Sequence, residues 1–227
     1  MILVLKYAAV DRVEGIEKMK LLIFGSTGSI GRQLVQHALE QGHTVTAFAR
    51  DPAKLDIQHA NLKLVQGDVM DLASVEKAVR GQDAVLCVLG SGGKRTGTIR
   101  SEGTRQIIRA MEKGGVRRFV CQTTLGARDS WGNLNFFWKY IMFGIFLRDV
   151  FADRQKQENY VKQSHLDWTI VRPGAFVDGD RTSNYRHGFP ATDRTSKLKI
   201  SRADVADFML KQLVDDLYLH KTPALSY

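Results

Sequence analysis

Apolar residues in this chain gather in short unbroken runs, and between the runs they recur every three or four positions. The first run, Met19-Lys20-Leu21-Leu22-Ile23-Phe24, has strand length. Leu34, Val35, Ala38 and Leu39 follow at helical spacing, and Gly42 closes that segment. Thr44-Val45-Thr46-Ala47-Phe48-Ala49 alternates and is rich in strand formers, and Leu62-Lys63-Leu64-Val65 predicts a third strand. Residues 71–79 read as a helix with an acidic start, and Asp83 leads into a fourth strand ending at Leu89. Residues 101–113 form the next helix, stopped by Gly114-Gly115. A fifth strand covers residues 118–124, and a sixth, Trp168-Thr169-Ile170-Val171, ends at Arg172-Pro173-Gly174. Leu198-Lys199-Ile200 then predicts a short strand. Ser201-Arg202-Ala203-Asp204 caps a terminal helix, with a serine hydroxyl and a carboxylate three residues later. Strands alternating with helices in this way predict an α/β fold with a doubly wound parallel sheet. One domain over residues 19–227, with a small C-terminal substrate lobe, is the expected organisation.

Three stretches stand outside this rhythm. Residues 1–18 read as an N-terminal extension, apolar at its start but too short to span a bilayer and without the features of a secretion signal. Residues 135–151 hold seven aromatic residues in 17, interrupted by Lys139, Arg148 and Asp149, so no spanning helix fits there either. A buried helix, a wall or lid for a flat substrate, a self-association contact and a weak membrane-surface patch over residues 136–151 all stay open. Residues 178–196 are polar and predict a long loop, a length that in compact domains often carries function.

The connection after the first strand carries the strongest chemical signal. Gly25-Ser26-Thr27-Gly28-Ser29-Ile30-Gly31 lies between strand and helix, so the helix's free amide N–H groups and partial positive charge face whatever fills the turn. A pyrophosphate suits that place. Gly25 permits the tight turn, Gly28 admits phosphate to the backbone, and Gly31 lets helix and strand pack closely. The second strand ends in Arg50, 19 residues beyond Gly31. A dinucleotide site that prefers NAD places a carboxylate here to accept hydrogen bonds from the ribose. Arginine cannot accept them, but its planar cation suits the 2′-phosphate of NADP(H), and Lys54 adds charge. The plainer alternative is a surface arginine opening a loop.

Composition narrows the rest. At 227 residues, with 44% hydrophobic and 25% charged content, the chain is an ordinary globular domain. Cys87 and Cys121 each sit in an apolar run, which points to buried thiols and a reducing, cytoplasmic setting. Of the formal charge of +9, Arg105, Arg109, Lys113 and Arg117 contribute one stripe at four-residue spacing, read as a solvated helix face. With no aromatic platform among the basic residues, nucleic acid is not an expected partner. The six histidines are scattered without metal-ligand spacing, so no metal site is expected.

Taken together, these motifs resemble the atypical short-chain dehydrogenase/reductase families, close to biliverdin IX-beta reductase/flavin reductase and NmrA-like NAD(P)-binding proteins. The resemblance runs from Met19 onward. It rests on Gly25 through Gly31, Val45 through Arg50, Gly67-Asp68-Val69, Gly81-Gln82-Asp83-Ala84-Val85, Ser101-Glu102-Gly103-Thr104-Arg105, Asp167 through Gly174 and Ile200 through Leu210. It implies a Rossmann-type sheet in which Gly25, Thr27, Gly28, Ser29 and Ile30 hold the pyrophosphate and Arg50 the 2′-phosphate. Asp68 and Val69 would meet the adenine, although a turn or capping aspartate explains Asp68 as well. Leu89 and Gly90 would pass beside the ribose and diphosphate, and Pro173, Gly174, Ala175 and Phe176 would cradle the nicotinamide. Thr123 and Thr124 would lie near the nicotinamide as candidate catalytic hydroxyls.

The departures from the wider superfamily matter for chemistry. Its Tyr-x-x-x-Lys pair is missing: Tyr140 is followed four residues later by Gly144, and Tyr160 by Ser164. Where related families often keep a lysine, this chain has Arg154, which orients anions but is a poor proton donor. The resemblance therefore implies an NADPH-dependent reductase of a planar acceptor, a flavin or bilin, that takes its proton from solvent. A redox sensor or assembly factor with little turnover, and a quinone or small-carbonyl reductase, are the alternatives.

Overall fold

The computed structural model describes residues 17–90, 97–126 and 148–227. The N-terminal extension up to residue 16, and the aromatic run up to residue 147, lie outside the described residues. Among the described residues ten strands and five α-helices follow in the order β1 (Lys20–Phe24), α1 (Ser29–Glu40), β2 (Thr44–Ala49), β3 (Leu62–Gln66), α2 (Leu72–Val79) and β4 (Ala84–Cys87), then α3 (Ile99–Gly114), β5 (Arg118–Gln122), α4 (Arg148–Gln163), β6 (Asp167–Pro173), β7 (Ala175–Val177), β8 (Arg186–His187), β9 (Lys199–Ser201), α5 (Arg202–Lys211) and β10 (Ala224–Ser226). Among the described residues eight strands form one sheet in the order β3-β2-β1-β4-β5-β6-β10-β8, parallel except for β8, and β7 pairs with β9 beside it. The Rossmann-type arrangement expected from the sequence is present. The strand order turns back between β1 and β4, which opens a crevice at the carboxyl ends of those strands.

Alternation along the strands divides the core in two. Leu21, Ile23, Val45, Ala47 and Leu86 pack with α1 and α5, while Leu22, Phe24, Val85, Phe119 and Cys121 face the side of α2, α3 and α4. Because both faces are covered, β1 and β4 tolerate unbroken apolar runs. The basic stripe is solvent-facing as expected: Arg105 pairs with Glu102 at 2.8 Å, Lys113 with Glu76 at 2.7 Å and Arg117 with Asp167 at 2.9 Å.

Several boundaries differ from expectation. The fourth strand stops at Cys87 rather than Leu89, and α3 opens two residues early at Ile99. The expected loop over residues 178–196 contains β8, and β7 and β10 carry no alternating signal because they are only three residues long. The terminal helix is capped by Ser201, whose hydroxyl accepts from the Asp204 amide at 3.0 Å. The reciprocal half of that cap is absent. The Asp204 carboxylate, 0% exposed, accepts instead from the Thr182 amide (2.8 Å), the Thr182 hydroxyl (2.7 Å), the Ser183 amide (2.9 Å) and the Tyr227 hydroxyl (2.7 Å). A fully buried carboxylate needs several donors, and the 182–183 loop supplies more than one amide at a helix start.

Candidate active site

The crevice begins at the glycine turn. Gly25 has φ +83°, and a Cβ there would lie 2.5 Å from the Val88 carbonyl oxygen. A Cβ on Gly31 would lie 2.1 Å from the Gly25 oxygen, so α1 starts almost against the turn. The Gly28 amide donates to the Gly25 carbonyl at 2.9 Å, and the Arg32 amide closes the first helical bond onto Gly28 at 2.9 Å. The amides of Ser29, Ile30 and Gly31 precede that bond and have no acceptor within the helix. They form an anion-binding end. The Ser26 hydroxyl fastens the turn to the Phe48 carbonyl at 3.1 Å.

Arg32 was not legible as part of this site from its position. Its guanidinium donates to the carbonyls of Thr27 (3.3 Å), Leu55 (2.9 Å) and Lys54, clamping the glycine turn to the segment after β2. Arg50 is exposed at the end of β2, and its guanidinium has no partner among the described residues. Lys54 pairs with Asp51 at 3.3 Å, and both share a shallow hollow with Thr27 and Arg50.

A cleft of about 200 Å³ adjoins this hollow. Gly25, Thr27, Gly28, Arg50, Asp68, Val69, Leu89 and Gly90 line it, together with Phe24, Phe48 and Ile99. Asp68 plays the turn role as well, since its Oδ1 accepts from the Met70 amide at 2.9 Å while its other oxygen makes no bond among the described residues. Phe24 and Phe48 meet with ring centroids 4.9 Å apart and form an apolar floor. They were read as strand core from the sequence, and their place at strand ends facing the glycine turn is the signal that marks them.

The remaining expected site residues lie elsewhere on the carboxyl edge of the sheet. The Thr123 side chain is fully buried, and its hydroxyl donates to Glu158 Oε1 at 2.8 Å. Thr124 is half-buried, and its hydroxyl makes no hydrogen bond among the described residues. Among the described residues, Thr123 is thus committed and Thr124 is not. The lining of the cleft does not extend to Pro173, Gly174, Ala175 or Phe176. These four make the crossing from β6 to β7: the Leu125 amide donates to the Pro173 carbonyl (2.9 Å), the Gly174 amide to Leu225 (2.9 Å) and the Ala175 amide to Leu198 (2.7 Å). A Cβ on Gly174 would meet the Leu198 backbone at 2.6 Å, so packing alone demands glycine there.

Buried charge surrounds the Thr123 end. Glu158 receives Arg172 on both oxygens, at 2.9 and 2.6 Å, and Lys162 lies 3.7 Å away. Arg154 donates from Nη1 to the Thr123 carbonyl. Burial, with the Arg100 cation nearby, pushes Arg154 down to about 10, still protonated at neutral pH. Cys87 and Cys121 are register partners on β4 and β5, both buried and free, and Cys87 together with burial holds the Cys121 thiol well up. Among the described residues no cluster of His, Cys, Asp or Glu is arranged to hold a metal, and no helix is long and apolar enough to cross a membrane.

Comparison with known proteins agrees with this geometry. Residues 25–216 match the family described as NAD(P)H-binding. The chain is similar to the oxidoreductase ylbE of Lactococcus lactis, with TM-score 0.78 and 27% identity over 92% of this chain and 90% of that one. It is also similar to ChuY, an anaerobilin reductase from Escherichia coli O157:H7, with TM-score 0.74 and 26% identity over 91% and 96% of the two chains. The photosystem II assembly factor Ycf39 of Synechocystis is 27% identical over 90% of this chain, and the match spans 61% of that protein.

Proposed function

This chain belongs to the NAD(P)H-binding family, and from that premise we propose that it is an NADPH-dependent reductase passing hydride to a planar conjugated acceptor, a flavin or a bilin. The observation that carries the cofactor choice is Arg50, an exposed guanidinium at the rim of the cleft without a partner among the described residues. Its fork suits a 2′-phosphate, and no carboxylate stands at that position to favour the bare ribose of NAD. The amides of Ser29, Ile30 and Gly31 would hold the pyrophosphate, and Asp68, with one oxygen uncommitted, would accept the adenine amine. NADPH, when bound, supplies the hydride.

The acceptor class follows from what the chain lacks. Without a Tyr-x-x-x-Lys pair there is no dedicated acid for a carbonyl oxygen. A conjugated ring stabilises the added electrons itself and takes its proton from water. Thr124 would orient the rings, while Thr123, committed to Glu158, holds the strand end in place. Similarity to an anaerobilin reductase supports a bilin-like acceptor. The free, register-paired cysteines go with a reducing, cytoplasmic setting.

The second reading is an NAD(P)-binding sensor or assembly factor with little turnover, favoured by the missing acid and by similarity to Ycf39. A quinone or small-carbonyl reductase shares the cofactor site. Acceptor-dependent loss of NADPH absorbance against FMN, biliverdin and a quinone panel separates the three. Turnover with FMN or biliverdin supports the proposal. NADPH binding without turnover of any acceptor would favour the sensor.

A further inference from the structure

Arg100 directly follows Ile99, a wall of the cofactor cleft, and its side chain is 7% exposed. It faces Asp153, with Nη1 and Oδ2 3.8 Å apart, too far for a hydrogen bond. Asp153 is turned the other way. Its Oδ1 accepts from the Ser101 amide at 3.1 Å and from the Ser101 hydroxyl, while its buried Oδ2 and the Arg100 Nε have no partner. Arg154, on the facing helix, spends Nη1 on the Thr123 carbonyl, next to Thr124.

Among the described residues the charges here do not balance: Arg100, Arg154, Lys162 and Arg172 supply four cations, and Asp153 and Glu158 supply two carboxylates. Glu158 is saturated by Arg172, Lys162 and the Thr123 hydroxyl, which leaves Arg100 and Arg154 sharing the poorly aimed Asp153. A buried guanidinium with an unpartnered N–H, as at Arg100 Nε, is costly unless an anion completes it, and the half-buried Arg154 beside it is open to a ligand. Their planar forks match carboxylate and phosphate oxygens.

On the reading of this chain as a reductase, we propose that the acceptor is anionic, and that its carboxylate or phosphate group seats on Arg154 and Arg100 beside the end of β5. The ring then lies over Thr124, between this anchor and the cofactor cleft that Ile99 borders. The site selects for a planar ring bearing an acidic side arm. It selects against the same ring without one.

Two matched pairs of acceptors test this: FMN against riboflavin for phosphate, and biliverdin against its dimethyl ester for carboxylate. With NADPH at low salt, kcat/KM is expected to favour the charged member of at least one pair by about 10- to 150-fold, the range for a hydrogen bond to a charged group. The pair that shows the preference identifies the anion. R154Q and R100Q should bring the ratio toward unity, and R154K should restore part of it. Equal rates within both pairs would overturn the inference, as would a preference that survives both glutamine variants. So would variants that weaken NADPH binding and leave the acceptor ratio unchanged, which would give the arginines to the cofactor. If no acceptor turns over, the reductase reading fails, and flavin fluorescence quenching decides the anion site separately. Tighter FMN than riboflavin binding in the parent but not in R154Q supports it, and equal binding refutes it.

Discussion

Glu158 and Arg172 meet through two parallel hydrogen bonds, at 2.9 and 2.6 Å, with side chains 0% and 1% exposed. The pair joins α4 to the end of β6, and the Thr123 hydroxyl adds β5 to the same carboxylate. Removing one member strands the other charge in the core. Glu158→Ala is expected to cost about 3–5 kcal/mol in urea unfolding, the range for breaking a buried ion pair. Thr123→Val removes only a neutral donor and should cost about 1–3 kcal/mol. A loss below 1 kcal/mol for Glu158→Ala would show that the pair is not formed in solution.

On the proposed function, Arg50 should govern cofactor choice. The parent protein should bind NADPH more tightly than NADH, and Arg50→Asp should reverse that order. A lost charge-assisted contact corresponds to about 10- to 150-fold in NADPH affinity. NADH binding should be unchanged or improved, as read by titration of dinucleotide fluorescence. Equal affinities in the parent would remove this role for Arg50.

The two neighbouring threonines should separate cleanly. Thr124→Ala should lower turnover modestly and leave stability nearly untouched, because its hydroxyl makes no hydrogen bond among the described residues. General acid catalysis is worth about 10²–10⁴, so a fall beyond about 10³ at unchanged cofactor affinity would make Thr124 part of a proton relay. Thr123→Val should act in the opposite sense, through stability.

Stability should fall with acid in two windows. His43 is 1% exposed, and its Nδ1 accepts from the Met19 amide at 3.1 Å, a bond only the neutral ring can make. Burial holds its pKa below the ordinary 6.5, so the unfolded chain binds the proton more readily. Its contribution is complete above 6.5 and is lost as the pH falls through that value toward the lower folded one. Asp204 behaves likewise at lower pH. Burial would raise it, but the bonds from Thr182, Tyr227 and Ser183 prevail and hold it below the ordinary 3.8. That contribution is present above 3.8 and disappears beneath it. Urea midpoints measured from pH 8 to pH 3 check both, with His43→Gln reducing the upper step, to which His37 and His187 also contribute, and Asp204→Asn reducing the lower.

The half of the fold around the glycine turn was legible because its signals are local. Each glycine from Gly25 to Gly31 acts on backbone within a few residues, and Arg50 is placed by the end of one strand. The half around α4 was not. Helix α4 has the sequence RDVFADRQKQENYVKQ, whose charged residues mask its buried face, since Asp153, Gln157 and Glu158 are inside and take hydrogen bonds with α3, β5 and β6. Asp204 misled for the same reason. A capping motif is read from four residues, but the donors that claimed this carboxylate come from Thr182, Ser183 and Tyr227.

Strand β10 lies inside the sheet, parallel to β6 through Arg172 and Pro173 and antiparallel to β8 through Arg186 and His187. The order of assembly therefore cannot be the order of synthesis. Residues 186–187 leave the ribosome well before Ala224–Ser226, yet they have no strand to join until those residues arrive. The sheet from β3 to β6 can form while the chain is still growing, whereas its last two strands must dock together. A nascent chain stalled before Ala224 would hold a six-stranded sheet with a bare β6 edge, the species most exposed to chaperones and to mispairing.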